Sequence, residues 1–197
     1  KEKSFCVDEA EYSFLGTAID SEKEFSDGPD NLARYVFRIL YDMEDIDEAV
    51  QMILEIVGKQ FDVSRAYVFE SSEDGECCSN TYEWCNEGVI PQKENLQRVP
   101  RDVKEKLQNL AYSQFGDYQN LFKDNSVFYC RDIRTLTREQ TEIFEAQGIS
   151  STLQCAFWNE NNLSGFLGFD ECTGVRLWTK DEVNALSLIS QILATFL

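Results

Sequence analysis

The groups in this chain best suited to chemistry are its thiols, and what they lack is a base. Cysteines stand at 6, 77, 78, 85, 130, 155 and 172, an odd number with no Cys-x-x-Cys pair, and the 197 residues include no histidine. Zinc in Cys/His spacing, a Ser-His-Asp triad and a Cys-His pair are thereby excluded within this chain, and no metal site is expected. Reduced thiols in a cytoplasmic setting are the expectation. A second set of groups lies in segments that read as strands. Tyr82, Trp84 and Cys85 fall in YEWC, where an aromatic ring with one polar handle suits a flat ligand as well as it suits a core. Phe128, Cys130 and Asp132 alternate, and Thr152, Gln154 and Trp158 share one face of their own segment. Gln154, an amide within an apolar run, must find hydrogen-bond partners once buried, and a ligand or pocket water can supply them.

These residues need a sheet to carry them. Ser150 to Cys172, SSTLQCAFWNENNLSGFLGFDEC, reads as two strands, Thr152 to Trp158 and Gly165 to Asp170, folded about the turn formers at 159–162. A lone hairpin is marginally stable in water, so it belongs in the middle of a larger antiparallel sheet. Arg65 to Glu70 and Ser79 to Cys85 form a second hairpin around a turn ending in Asp74-Gly75, and Ser126 to Ile133 is a further strand. Helices flank them. Leu32, Tyr35, Val36, Ile39, Leu40 and Met43 make one amphipathic stripe; Ile46, Val50, Ile53, Val57 and Phe61, opened by Asp45 with Glu48 three later, make the next. Pro100 opens a helical stretch with Val103, Leu107 and Leu110 on one side. Thr137 with Gln140 is a capping box for a short helix ending at Gly148. Thr179 with Glu182, and Trp178 as a staple on Val183, start the last helix, whose stripe of Val183, Leu186, Ile189, Leu193 and Leu197 runs to the final residue. Such a stripe either buries itself on the domain's own sheet, continues, or pairs with a copy of itself. Residues 1–29 are polar and acidic, a linker or leading tail, and residues 30–197 form one α+β domain with its terminal helices on one face of an antiparallel sheet.

Charge narrows the partners. With 36 acidic residues against 18 basic ones the formal net charge is -18, a field that repels nucleic acid and anionic lipid. No stretch reaches the ~20 apolar residues a membrane-spanning helix needs, and the start is no signal peptide, so no membrane insertion is expected. A first residue other than Met is what a fragment of a longer protein would show.

The element order, with the blocks FDVSRAYVFESSEDGE, NTYEWCNEGVIPQKENLQ and QGISSTLQCAFWNENNLSGFLGFDEC followed by RLWTKDEV, resembles the GAF domain. The likeness is to bacterial signalling proteins, especially those preceding diguanylate cyclase (GGDEF-type) outputs. The resemblance implies a GAF-like sheet with helices on one face and a ligand pocket on the other. It also implies a small-molecule sensor without catalysis of its own, homodimers through terminal helices, and an output domain in the same polypeptide. On that basis Tyr82, Trp84, Cys85, Phe128, Cys130, Asp132, Gln154 and Asp170 are the expected ligand-binding residues, and no cofactor is expected. Of the motif of cyclic-nucleotide-binding GAF domains the chain keeps Phe166 and Asp170-Glu171, but no Lys follows Asn161 or Asn162. Without histidine, bilin attachment and imidazole-ligated haem are disfavoured. Free methionine sulfoxide reductase, an enzyme on this fold, provides an alternative in which Cys85, Cys130 and Cys155 converge in a pocket. A ligand-free dimerising spacer, its pocket filled by side chains such as Trp84 and Trp158, is a third reading.

Overall fold

In a computed structural model of the chain, residues 29–73, 77–97, 99–100, 121–122, 126–160 and 162–197 are described. The sheet grows outward from the hairpin of β5 (Ser151–Asn159) and β6 (Asn162–Glu171). Phe157, Leu167 and Phe169, buried side chains with strand propensity, hold this pair in the middle of the domain. The first hairpin, β1 (Arg65–Ser71) and β2 (Cys77–Cys85), joins through β1 against β6, and β4 (Val127–Cys130) closes the other side on β5. With the two-residue β3 (Val99–Pro100) on β2 the order is β3-β2-β1-β6-β5-β4, antiparallel throughout. Pro100 itself lies in this strand, its backbone pairing opposite Cys77 at the sheet edge, where a residue without an N–H is tolerated; the helix expected after it is not among the described residues. Val103, Leu107 and Leu110 lie outside the described residues.

Helices α1 (Pro29–Asp42), α2 (Ile46–Gln60) and α4 (Lys180–Leu193) cover one face, with α2 on β1 and β2, α4 on β5 and β6, and α1 against both helices. Their stripes meet the inward residues Ala66, Val68, Leu153, Cys155, Phe157, Leu167 and Phe169 in one apolar core. Gly58 allows α2 to approach β2, since a Cβ there would overlap the Trp84 ring. The helix starts follow their sequence signals. Asp45 accepts from the amides of Asp47 (2.9 Å) and Glu48 (3.2 Å), and Thr137 and Thr179 both form complete capping boxes with Gln140 and Glu182. Gly148, with φ 71°, closes α3 (Arg138–Ala146) in the left-handed conformation that glycine adopts without strain. The last helix ends at Leu193, its C-cap Ala194 bonding back to Ser190 and Ile192, so Leu197 lies beyond it.

Candidate ligand-binding face

The register of the six strands sorts the face away from α1, α2 and α4 into rows. The first row reads Cys85, Arg65, Asp170, Thr152 and Cys130 across five strands, and the second Glu83, Tyr67, Gly168, Gln154 and Phe128. A third, of Asn80, Phe69, Phe166 and Ala156, is mostly apolar. Its polar member depends on an irregularity. Val68 pairs with Tyr82 but Phe69 pairs with Asn80, so the extra residue, Thr81, turns Asn80 away from the helices.

Asp170, 1% exposed, is the hub. Its Oδ1 accepts from the Thr152 hydroxyl (2.8 Å) and the Tyr67 hydroxyl (3.0 Å), and Tyr67 in turn accepts from Gln154 Nε2 (2.9 Å). Tyr67 reaches this position by crossing Gly168, where any Cβ would overlap its ring. Gln154 thus has the partner that burial demands of it, supplied from β1. Burial pushes the Asp170 carboxyl up to about 6, although the Arg65 charge and the Thr152 and Tyr67 hydrogen bonds pull the other way. Arg65 is 2% exposed; one guanidinium nitrogen donates to the Gln147 carbonyl at the end of α3 (2.8 Å) and to Cys172 Sγ (3.2 Å). Among the described residues its Nε and the Oδ1 of Asn80, itself 1% exposed, have no hydrogen-bond partner. Next to this polar end, Phe69 and Phe166 stack at 4.8 Å and Phe122 packs on Phe166 at 5.7 Å, with Leu96 and Ile143 in the same cluster. The fold thus presents a polar patch bordered by an aromatic one.

Of the residues expected to line a pocket, Cys85, Phe128, Cys130, Gln154 and Asp170 share this face. Tyr82 and Trp84 do not: both pack with the helical core, and the Tyr82 hydroxyl donates to Asp47 Oδ1 of α2 (2.5 Å). Period-2 alternation sets Trp84 and Tyr82, one and three residues from Cys85, on the side opposite to it without fixing which side meets the helices. Asp132 leaves the strand, which ends at Cys130; it caps the 3-10 turn of Ile133–Thr135 and forms an exposed two-pronged pair with Arg134 (2.8 and 2.7 Å). That pairing holds its carboxyl below the usual range.

The three thiols of the reductase alternative do not converge. Cys85 and Cys130 stand at opposite ends of the first row, four inter-strand steps or about 19 Å apart. Cys155 faces the helices, beside Ser187. Burial, with Glu83 nearby, pushes the Cys85 thiol up to about 12, and burial pushes Cys155 up to about 11, so neither supplies thiolate at neutral pH. Trp84, on the helix side, cannot fill this face, and Trp158 sits in the aromatic cluster with its ring N–H on Ser126 Oγ (3.0 Å). Among the described residues no group of three or more Cys, Asp or Glu is placed to hold a metal ion, and no helix is long and apolar enough to cross a membrane.

Arg65, Tyr67 and Asn80 also lie on this face, though they are not among the expected ligand-binding residues. Arg-Ala-Tyr-Val carries a signal, since Arg65 and Tyr67 alternate with the apolar Ala66 and Val68. Asn80 had none, because only the bulge turns it.

The antiparallel sheet with helices on one side is a GAF-like α+β architecture. The family model for the GAF domain matches residues 45–197. The chain belongs to the GAF domain family, whose members are generally sensory. It is 32% identical over 148 residues to the methanogenesis regulatory histidine kinase FilI of Methanothrix harundinacea (strain 6Ac), an alignment covering 73% of this chain and 16% of that protein. Among solved structures it resembles the chromophore-binding domain of Stigmatella aurantiaca phytochrome P1, with TM-score 0.69, 13% identity, and 90% of this chain and 62% of that one covered. It also resembles the phycocyanobilin-bound GAF domain of a cyanobacterial phytochrome, with TM-score 0.67, 14% identity and coverage of 87% and 94%.

Proposed function

We propose that residues 30–197 are a non-catalytic sensory module that binds a small molecule on the polar rows of the sheet and passes the change through its terminal helices to an output domain in the same protein. The observation that carries this reading is two buried groups without a partner among the described residues, Arg65 Nε in the row of Asp170 and Asn80 Oδ1 two rows further along the same face. A buried donor and a buried acceptor without partners each cost free energy, and a ligand with complementary groups relieves that cost. The output favoured by the similarity to FilI is a histidine kinase, ahead of the diguanylate cyclase that the sequence blocks suggested. The stripe of Phe37 (48% exposed) and Tyr41 (87%) on α1 supports a homodimer through these helices, and sedimentation showing only monomer at high concentration would count against it. The six cysteines among the described residues are free thiols, which supports a cytoplasmic site of action.

A bilin, as carried by the cyanobacterial neighbour, does not fit the described residues. Tyr67 closes the space over Gly168, Phe122 and Leu96 fill the aromatic end, the chain lacks histidine, and the half-buried Cys85 thiol on this face is held protonated. A smaller ligand with both a donor and an acceptor fits better. A metabolite panel in a thermal-shift assay tests this, since a ligand at 100 times its Kd adds about 2.7 kcal/mol. The binder should stabilise the wild-type chain but lose most of that increment in Asn80→Ala and Arg65→Lys. Equal stabilisation of all three would place the ligand elsewhere, and no stabilisation by any compound would remove the ligand half of the proposal.

A further inference from the structure

Asp170 and Glu171 are consecutive but belong to different assemblies. Asp170 is the hub of the polar rows, while Glu171, at the end of β6, joins a cluster on the helix side. Glu171 Oε1 accepts from Ser64 Oγ (2.8 Å) and from the amide (2.9 Å) and hydroxyl of Thr173 (2.6 Å). Its Oε2 meets Arg176 at 3.3 Å. The other arm of Arg176 donates to Glu182 Oε1 at 2.6 Å, and Glu182 Oε2 accepts both the amide and the hydroxyl of Thr179, the cap of α4. Arg176 also donates to the carbonyls of Phe61 and Asp62, just past the end of α2, and its guanidinium lies 5.0 Å from the Trp178 ring. The ion pairs are largely shielded, with side-chain exposures of 21% for Arg176, 12% for Glu171 and 8% for Glu182. Burial raises the Glu171 and Glu182 carboxyls, but these hydrogen bonds outweigh it and hold both below the usual range.

From this arrangement we infer that Arg176 is the coupling residue of the module, the group through which a shift at the Asp170 end of β6 reaches the start of α4 and the end of α2 together. The inference rests on the relay reading above but not on any particular ligand. Three features favour coupling over simple anchoring. The guanidinium contacts all three elements at once, so none moves without a change in its hydrogen bonds. The contacts meet helix ends, where orphan backbone groups and a capping box set the helix's start and stop. Finally, Ser64 stitches the two assemblies: its amide donates to the Asp170 carbonyl (3.0 Å), while its hydroxyl donates to Glu171 and accepts from the Cys172 amide (2.9 Å).

The test is a double-mutant cycle on the 197-residue chain without ligand, read by amide exchange at Thr179, Glu182 and Val183. Asp170→Asn perturbs the hub while keeping an acceptor for Thr152 and Tyr67. The expected result is that Asp170→Asn changes exchange at the α4 start about fivefold in the wild-type background and not in Arg176→Gln, a non-additivity within the range for residues of one network. Arg176→Lys, which keeps the charge but not the fork, should restore little of the effect. Should Arg176→Gln fail to fold, Glu171→Gln replaces it in the cycle, with the same expected loss. An Asp170→Asn effect that is unchanged in either background, or that never reaches α4, overturns the inference, because a merely structural Arg176 alters stability without altering the coupling. A positive cycle with no binder in the metabolite panel would leave the coupling standing and remove only the ligand.

Discussion

The two faces of this sheet are made by the same strands and follow opposite rules. Against α1, α2 and α4 the sheet offers Ala66, Val68, Leu153, Leu167 and Phe169, and the helices cover them with apolar stripes. On the far side the alternate residues of the same strands are Arg65, Tyr67, Thr152, Gln154 and Asp170, all buried. The first face gains stability by removing about 25 cal/mol of unfavourable hydration per Å² of apolar surface. The second face buries polar groups, and must return each lost water hydrogen bond from within the protein. Among the described residues it does so for Gln154, Thr152 and Tyr67 and stops short at Arg65 Nε and Asn80 Oδ1. A face meant only to hold the fold together has no reason to be so polar, and the proposed ligand site rests on that contrast.

The largest effect that sharpens the contrast belongs to the helix side. Phe169→Ala deletes a fully buried ring from the main core, and urea unfolding should show a loss of about 3–5 kcal/mol; a loss below 1 kcal/mol would mean that the helical layer is not where stability resides. The next effect separates the faces by the sign of their pH dependence. With its carboxyl raised to about 6, Asp170 contributes stability that is fully present below its unfolded value and is lost as pH rises through about 6. The shift corresponds to roughly 3 kcal/mol. Glu171 and Glu182, held below their usual range, contribute stability in the opposite sense, present at neutral pH and lost on acidification. In unfolding measurements from pH 4 to 7, the stability of Asp170→Asn relative to wild type should therefore rise with pH, and a flat difference would refute the assignment. Smallest is Gly168→Ala, whose methyl forces the Tyr67 ring off its hydrogen bonds, for about 1–3 kcal/mol in unfolding and loss of any ligand-induced stabilisation. An unchanged hub would instead mean that the ring has room to spare.

How much of this could be read from residue order depends on how local each cause is. The caps at Asp45, Thr137 and Thr179, the left-handed Gly148 and both hairpins were legible because each is set by residues within a few positions of one another. Strand ends were less so: Asp132 was read as strand, but its side chain bonds the Arg134 amide and ends the strand instead. The site was legible in part. Gln154 and Asp170 stand out as polar residues in apolar strands, whereas nothing local to Tyr82 and Trp84 says that they lie on the helix side, against the core that α2 covers. Alternation says which residues share a side; it does not say which side meets the helices.

By itself, then, the sequence determined the α+β class, the helix starts, the absence of imidazole chemistry and the acidic surface, since these follow from composition and short-range physics. Only the tertiary structure decided that Cys85, Arg65, Asp170, Thr152 and Cys130 form one row, that a bulge at Thr81 turns Asn80 away from the helices, and that Arg176 joins two helix ends to β6. Those facts depend on strand register and on contacts between residues more than 100 positions apart, such as Arg176 with Phe61 and Tyr67 with Asp170. No local preference encodes such contacts; they form once the strands have paired in a register that buries the apolar face.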